Sequence, residues 1–289
     1  MLLSKNECGQ VHQKKLLQGI SVLEVAHNNA KAKISLYGGQ VLSWQPTGEK
    51  DVFWLSKTSD FEQGKAIRGG IPLCWPWFGS HPNDVENKMG NHGFARTQQW
   101  QVDNIEISEE GIEICLYWQG VNMSDLWPFS SELKQVIFIG QSFKQVLQMT
   151  NLSDQDAYYT GALHSYFSVS SPTTIKMTAL DQAPFYDKLT DQLHEPQSLE
   201  SFSGPVDRIY DTNQIVKIID AQWQRTIELN ASNTNQWVFW NPGTELANAM
   251  ADVHTHGEEE FVCLEAANTQ MQRLAWTDCH HGTSHLNWS

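Results

Sequence analysis

Three short stretches of this chain carry residue types suited to proton transfer or anion binding. The first, residues 158–169, reads Tyr-Tyr-Thr-Gly-Ala-Leu-His-Ser-Tyr-Phe-Ser-Val. As an extended strand with a side-chain period of two, it puts Leu163, Phe167 and Val169 on one apolar face. His164 falls on the other face with Tyr158, Thr160, Ala162 and Tyr166, an aromatic and hydroxyl-bearing surface suited to a polyol. A half-buried histidine satisfied by a neighbouring backbone group has the same pattern. The second stretch, residues 260–266, reads Glu-Phe-Val-Cys-Leu-Glu-Ala, with Phe261, Cys263 and Glu265 on one face and Val262 and Leu264 on the other. Both faces are apolar apart from Glu265. An unpaired ionised carboxylate in a core is costly, so Glu265 must be ion-paired, neutral, or directed into a wet cleft.

The third stretch runs through 66–79 and 91–96 and contains Arg-Gly-Gly-Ile-Pro-Leu-Cys-Trp-Pro-Trp-Phe-Gly and Asn-His-Gly-Phe-Ala-Arg. Two of the chain's five arginines, Arg68 and Arg96, fall here, with Asn91 and His92 close by. Guanidinium groups bind phosphate or carboxylate oxygens bidentately, and glycines let backbone N–H groups approach the same anion. Stacking of the two arginines on Trp faces is the competing use. Asp207, beside Arg208, is a further carboxylate candidate. Two histidine clusters, His254 with His256 and Cys279-His280-His281 with His285, have metal-ligating residue types but sit in turn-like or terminal sequence, so no functional metal is expected. The acidic run 258–260 reads as a solvated approach to the next strand.

The elements that must hold these residues are strands. Short runs rich in β-branched and aromatic residues recur at 21–26, 32–37, 40–45, 51–55, 100–107, 111–118, 133–139, 143–150, 158–169, 174–180, 215–220, 225–229, 237–240, 260–266 and 271–276. No window of a dozen residues keeps a helical period; short helical turns are expected only near 121–126 and after Gly243. Many short strands without intervening helices predict an all-β fold, a large antiparallel sandwich in one domain spanning 1–289. Residues 64–93 break the rhythm, and their bulky rings, Trp75, Trp77 and Phe78, make an ordered binding loop the expectation. Residues 182–210 read as surface loop plus hairpin.

Composition narrows the function. Apolar residues are 40% and charged residues 18% of 289, so the chain can bury a sizeable core. A net charge of −14 repels polyphosphate and argues against nucleic acid as a partner. The five cysteines are odd in number and scattered, which fits thiols in a reducing compartment. No leader-like or membrane-length apolar stretch is present, so a cytoplasmic protein with no membrane partner is expected. Twelve tryptophans supply flat surfaces for a sheet core or for stacking on a sugar, with Trp75 a candidate for the latter.

The two glycine- and tryptophan-rich motifs, then Leu-His-Ser-Tyr-Phe and Val-Cys-Leu-Glu-Ala-Ala-Asn, occur in an order that resembles the hexose-6-phosphate mutarotases (glucose-6-phosphate 1-epimerases) of the aldose 1-epimerase superfamily. The resemblance covers most of the chain. It implies a β-sandwich with its site on a concave sheet face, the catalytic pair at His164 and Glu265, and phosphate contacts at Arg68 and Arg96. His92 and Asn91 would line the same pocket and Asp207 would hold a substrate hydroxyl.

Such an enzyme needs one base on the anomeric hydroxyl and one acid on the ring oxygen, with no metal or redox cofactor. Glu265 is the expected base and His164, as imidazolium, the expected acid, each supporting the other's charge so that the histidine pKa rises and the glutamate pKa falls. A small sugar phosphate is the expected substrate and a monomer the expected state. A mutarotase of unphosphorylated aldoses, a non-catalytic carbohydrate-binding sandwich, and a glycoside hydrolase using Asp207 as second carboxylate remain as rivals.

Overall fold

The computed structural model describes residues 1–16, 18–199, 204–276 and 283–288. The histidine-rich group Cys279, His280 and His281, and the side chain of His285, lie outside them. The fold is an all-β antiparallel sandwich. A five-stranded sheet runs in sequence order through Leu2–Lys5, Gly9–Lys15, Ser21–His27, Ala30–Ser35 and Gln40–Pro46. A six-stranded sheet is centred on the hairpins Gly111–Gly120, Ser131–Gly140 and Phe143–Asn151. The third sheet carries the site. Its order is Gln192–His194, Phe185–Asp187, Val206–Tyr210, Gln236–Asn241, Phe261–Leu274, Ala157–Leu163 and Leu73–Cys74, with Tyr166–Ser168 also paired to Phe261–Leu274. Lys176–Met177, Val216–Asp220 and Arg225–Leu229 form a small fourth sheet.

Alternation decides which side chains reach the core. On the site sheet, Phe185, Tyr210, Trp237, Phe239, Leu264 and Ala266 point into the main hydrophobic cluster, joined there by Leu163, Phe167 and Val169 as the period of two requires. The opposite face is floored by smaller clusters, one around Cys74, Ala162, Val238 and Ala267, the other around Trp54, Tyr166, Phe261 and Cys263.

Some expected elements differ. Residues 51–55 form isolated bridges, Phe53 to Phe167 and Leu55 to Gly69, because Asp51 bends the chain by accepting hydrogen bonds from the Trp44 and Phe53 N–H groups. Residues 121–126 are a turn closed by the Ser124–Trp127 bridge and not helical, whereas Gly243–Ala249 is the expected short helix. Within 182–210, the hairpin is present, but its first strand is hydrogen-bonded between Gln192–His194 and Val206–Tyr210 and so belongs to the site sheet. Residues 64–93 are ordered by main-chain contacts. Gly70 has φ 64°, donates to the Trp54 carbonyl and accepts from the Tyr166 N–H, in a place where a Cβ would strike the Val41 carbonyl.

Candidate functional site

In an antiparallel sheet, directly paired residues share a face, so the ladder register alone assembles one wall of the site. Asp207 pairs with Trp240, Trp240 with Cys263, and Cys263 with Tyr166. The adjacent row runs Tyr186, Ile209, Val238 and Glu265. Leu163 pairs with Ala266 and Tyr166 with Cys263, so the same register puts His164 opposite Glu265. Their side chains approach with His164 Nε2 3.4 Å from Glu265 Oε1, both buried.

These rows open into a cleft of about 690 Å³ that also receives Arg68, Asn91, His92 and Arg96. That volume is within the usual range for small-molecule sites. His164, Glu265, Arg68, Arg96, His92, Asn91 and Asp207 are therefore brought together as the sequence led one to expect. Trp75 is not. It is fully buried in the main cluster, edge-on to Phe94 and Trp127, with its backbone bridged to Gly93. The aromatic side chains that do line the cleft are Phe78, Tyr186 and Trp240, the last edge-on to His164 at 6.0 Å.

Burial sets the protonation of the central pair, and it reverses the expectation of mutual charge support. Loss of solvent pushes Glu265 well up, with the Asp207 charge adding and Lys188 opposing. The same loss pushes His164 well down, helped by His92, Arg68 and Arg96. Burial thus presses the carboxyl and the imidazole alike towards their neutral forms. Glu265 Oε2 and His164 Nδ1 are buried with no hydrogen-bond partner among the described residues.

His92 is held by two bonds to one residue. Its N–H donates to the Gly79 carbonyl at 2.7 Å, and its Nδ1 accepts from the Gly79 N–H at 3.1 Å. Burial, then Arg96, Lys188 and Arg68, lower its pKa to about 3, so the ring is neutral. With Nδ1 accepting, the proton sits on Nε2, which makes His92 a donor on its other edge. Its φ of 68°, unusual for a non-glycine residue, is sustained by those two bonds.

Three cations line the cleft. Arg68 donates from Nε to Asp252 at 2.9 Å and from Nη1 to the Tyr166 hydroxyl at 2.9 Å. Arg96 donates from Nη2 to the Asn91 carbonyl at 2.6 Å and pairs with no carboxylate among the described residues. Lys188 bonds Asp207 at 2.9 Å. With burial pressing Glu265 towards its neutral form, these three cations face Asp207 and Asp252, so a chain of charge −14 gathers positive charge in its cleft.

Lys188, Trp240, Tyr166 and Asp252 gained no functional role from the sequence. Lys188 lay in a segment read as surface, Asp252 in a polar turn, and Trp240 at the end of a strand whose neighbours were unknown. Tyr166 alone had a signal, since it shares the period-two face of His164. The acidic run 258–260 is also not merely solvated. Glu258 is buried, and Glu260 accepts from Trp54 Nε1 and Lys57 Nζ and lies 3.0 Å from His254 Nε2. His256, Glu258 and Glu259 bring ligand atoms within 4.8 Å of one another at this turn.

The family described as aldose 1-epimerase matches residues 21–275. A Salmonella typhimurium protein named "putative glucose-6-phosphate 1-epimerase" is 31% identical over 93% of this chain and 93% of its own length. One of the same name from Escherichia coli is 31% identical over 89% of this chain and 86% of its own length. The crystal structure of a "putative mutarotase" from Salmonella typhimurium superposes with a TM-score of 0.85 and 27% identity, covering 100% of this chain and 95% of that one. No helix among the described residues is long and apolar enough to cross a membrane.

Proposed function

The chain belongs to the aldose 1-epimerase family, a family of isomerases, and from that premise we propose that it interconverts the α and β anomers of a hexose 6-phosphate, foremost glucose 6-phosphate. The observation that carries this reading is the joint occurrence, in one cleft, of the opposed pair His164–Glu265 and the cations Arg68, Arg96 and Lys188.

Glu265 removes the proton from the anomeric hydroxyl, through the Oε2 that has no partner among the described residues. His164 delivers a proton to the ring oxygen as the C1–O5 bond breaks, leaving an open-chain aldehyde. Rotation about C1–C2 presents the other carbonyl face. Glu265 then returns its proton to the carbonyl oxygen and His164 takes one from the C5 hydroxyl as the ring closes. Each residue is acid in one half and base in the other.

Proton counting ties this cycle to the burial of the pair. The ion pair, with Glu265 ionised and His164 protonated, and the neutral pair contain the same number of protons. Ring opening converts the first into the second. Burial favours the neutral arrangement, which is the one that accompanies the open-chain sugar, so the site is biased towards the high-energy intermediate. The closed sugar offers an O–H donor to the carboxylate and a ring oxygen to the imidazolium, and these hydrogen bonds offset the cost of the charged form.

At the far end of the sugar, Arg96 and Arg68 hold the phosphate, with His92 Nε2 as a neutral donor beside them. Arg96 is the main anchor because no carboxylate competes for it. Asp207, oriented by Lys188, accepts from a sugar hydroxyl, and Trp240 covers an apolar sugar face. Binding at a remote group fixes the reacting carbon between acid and base.

The test is anomerisation of freshly dissolved α-glucose 6-phosphate followed by exchange NMR, with free glucose in parallel. Faster equilibration of the phosphorylated sugar is expected. Equal acceleration of both sugars would assign the protein to unphosphorylated aldoses. Binding of glucose 6-phosphate with no acceleration would make it a carbohydrate-binding sandwich.

A further inference from the structure

No described residue orients His164 by a hydrogen bond to Nδ1. Catalytic histidines are commonly aligned by a carboxylate or carbonyl on the second ring nitrogen, but Nδ1 of His164 is buried without a partner among the described residues. Its plane is set by ring contacts instead. Tyr166 stacks on it with centroids 4.9 Å apart and planes 7° from parallel, and His92 meets it edge-on at 5.6 Å. The stack continues away from the cleft through Trp54, 5.8 Å from Tyr166 at 22°, to His254, 5.5 Å from Trp54 at 21°. Trp54 and His254 are in turn fastened to Glu260. Tyr166 is almost completely buried, so it has no freedom to tilt.

The same tyrosine reaches the other end of the site. Its hydroxyl accepts from Arg68 Nη1 at 2.9 Å, while Asp252 takes the Nε of the same guanidinium at 2.9 Å. These two bonds leave Nη2 of Arg68, a residue that lines the cleft, without a hydrogen-bond partner among the described residues.

Building on the proposed reaction, we propose that Tyr166 is a positioning residue with two separable duties, its hydroxyl aiming Arg68 at the substrate phosphate and its ring holding the imidazole of His164 opposite Glu265. One rigid side chain thereby sets the distance between the anion anchor and the proton donor. The hydroxyl and the ring can be removed independently, which separates the two duties.

The experiment compares wild type with Tyr166→Phe and Tyr166→Leu, reading kcat and KM by exchange NMR and the Kd of glucose 6-phosphate by calorimetry. Phe keeps the ring and loses the bond to Arg68, so Kd and KM for glucose 6-phosphate rise about 10-fold, more than kcat falls. Leu loses the stack as well and lowers kcat by a further 10-fold or so relative to Phe, because a misdirected proton donor acts on the transition state. Asp252→Asn, which weakens the other tether of Arg68 without touching the stack, raises Kd as Tyr166→Phe does. Should the Leu variant not fold, Trp54→Leu, which removes the ring behind Tyr166 and leaves its hydroxyl, reads the ring's duty as a fall in kcat, and an unchanged kcat there overturns that duty.

A Tyr166→Phe protein whose Kd stays within twofold of wild type overturns the hydroxyl's duty. Phe and Leu variants with equal kcat overturn the ring's duty. The underlying reading fails separately: wild-type protein that binds glucose 6-phosphate without accelerating its anomerisation refutes the reaction, while the calorimetric comparison still tests the hold on Arg68. Wild-type protein that binds no sugar phosphate overturns both.

Discussion

His164 and Glu265 occupy opposite positions of one antiparallel ladder, in the register shared by the Leu163–Ala266 and Tyr166–Cys263 pairs on either side. Opposed residues in a sheet have Cβ atoms about 4.5–5.5 Å apart, so the backbone register itself brings a carboxyl and an imidazole together. The regular ladder breaks at His164 and Ser165, where His164 donates its N–H to the Pro72 carbonyl and Ser165 carries the register on by accepting from Leu264. With Glu265 on a central strand and His164 in the two-residue break between two strands paired to it, the pair is held from both sides. It is also buried, which is why both groups are pressed towards their neutral forms.

Glu265→Gln keeps the shape of the pair and removes the group that accepts the anomeric proton in the proposed reaction. We expect kcat for glucose 6-phosphate to fall by about 10²–10⁴, the usual range for loss of a general base, with the calorimetric Kd changing far less. Exchange NMR on variant and wild type checks it. A variant retaining more than a tenth of the wild-type rate would assign the anomeric proton to another group.

Arg96→Ala removes the cation that no carboxylate neutralises. Its effect falls on the phosphorylated sugar, with KM rising about 10–100-fold for loss of a charge-assisted contact. The ratio of kcat/KM for glucose 6-phosphate over glucose is then expected to collapse towards one. The same ratio in wild type should shrink as ionic strength rises, since the positive cleft attracts the anion from solution. A ratio unmoved by the substitution would remove Arg96 from the phosphate site.

What could be read from the sequence followed from local periodicity. The period of two in residues 158–169 and 260–266 divided core from cleft correctly, since Leu163, Phe167, Val262 and Leu264 are core while His164, Tyr166, Cys263 and Glu265 face the site side. Two matters were out of reach. Which strands are neighbours depends on long-range pairing, so Lys188 and Trp240, placed beside Asp207 only by the sheet order, carried no local mark. Burial is equally non-local, and it inverts the charge logic that two adjacent ionisable groups suggest in water. Trp75 failed for a related reason, because a ring in a glycine-rich loop reads as a binding surface until the fold turns it inward.

The two tryptophans therefore separate by measurement. Trp75→Leu leaves a void in the main cluster and should lower stability by about 2–4 kcal/mol, in the range of large-to-small core changes, seen as a reduced midpoint in urea. Trp240→Leu exposes no core void of that kind and should act on sugar affinity, raising KM several-fold. If Trp75→Leu raised KM while leaving the unfolding midpoint alone, the inward placement of that ring would be wrong.

Asp51 allows the electrostatics to be tested away from the cleft. Burial raises its pKa from 3.8 to about 6, against the opposing pull of the Trp44 and Phe53 N–H groups and of Arg225. A carboxyl whose folded pKa lies above its unfolded value binds a proton more tightly when folded. Its stabilising contribution is complete below the unfolded value near 4 and is lost as pH rises through about 6, so at pH 7.5 the ionised group weighs against the fold. Asp51→Asn retains an oxygen for the two N–H donors and never ionises. The variant should therefore be more stable than wild type at pH 7.5, by on the order of 1–3 kcal/mol and several degrees in Tm. The gap should close as the pH is lowered to about 4, where wild type is protonated too. Thermal unfolding at the two pH values reads this directly. A variant that loses stability equally at both would mean that Asp51 is not penalised as an anion and that its two hydrogen bonds need the carboxylate charge.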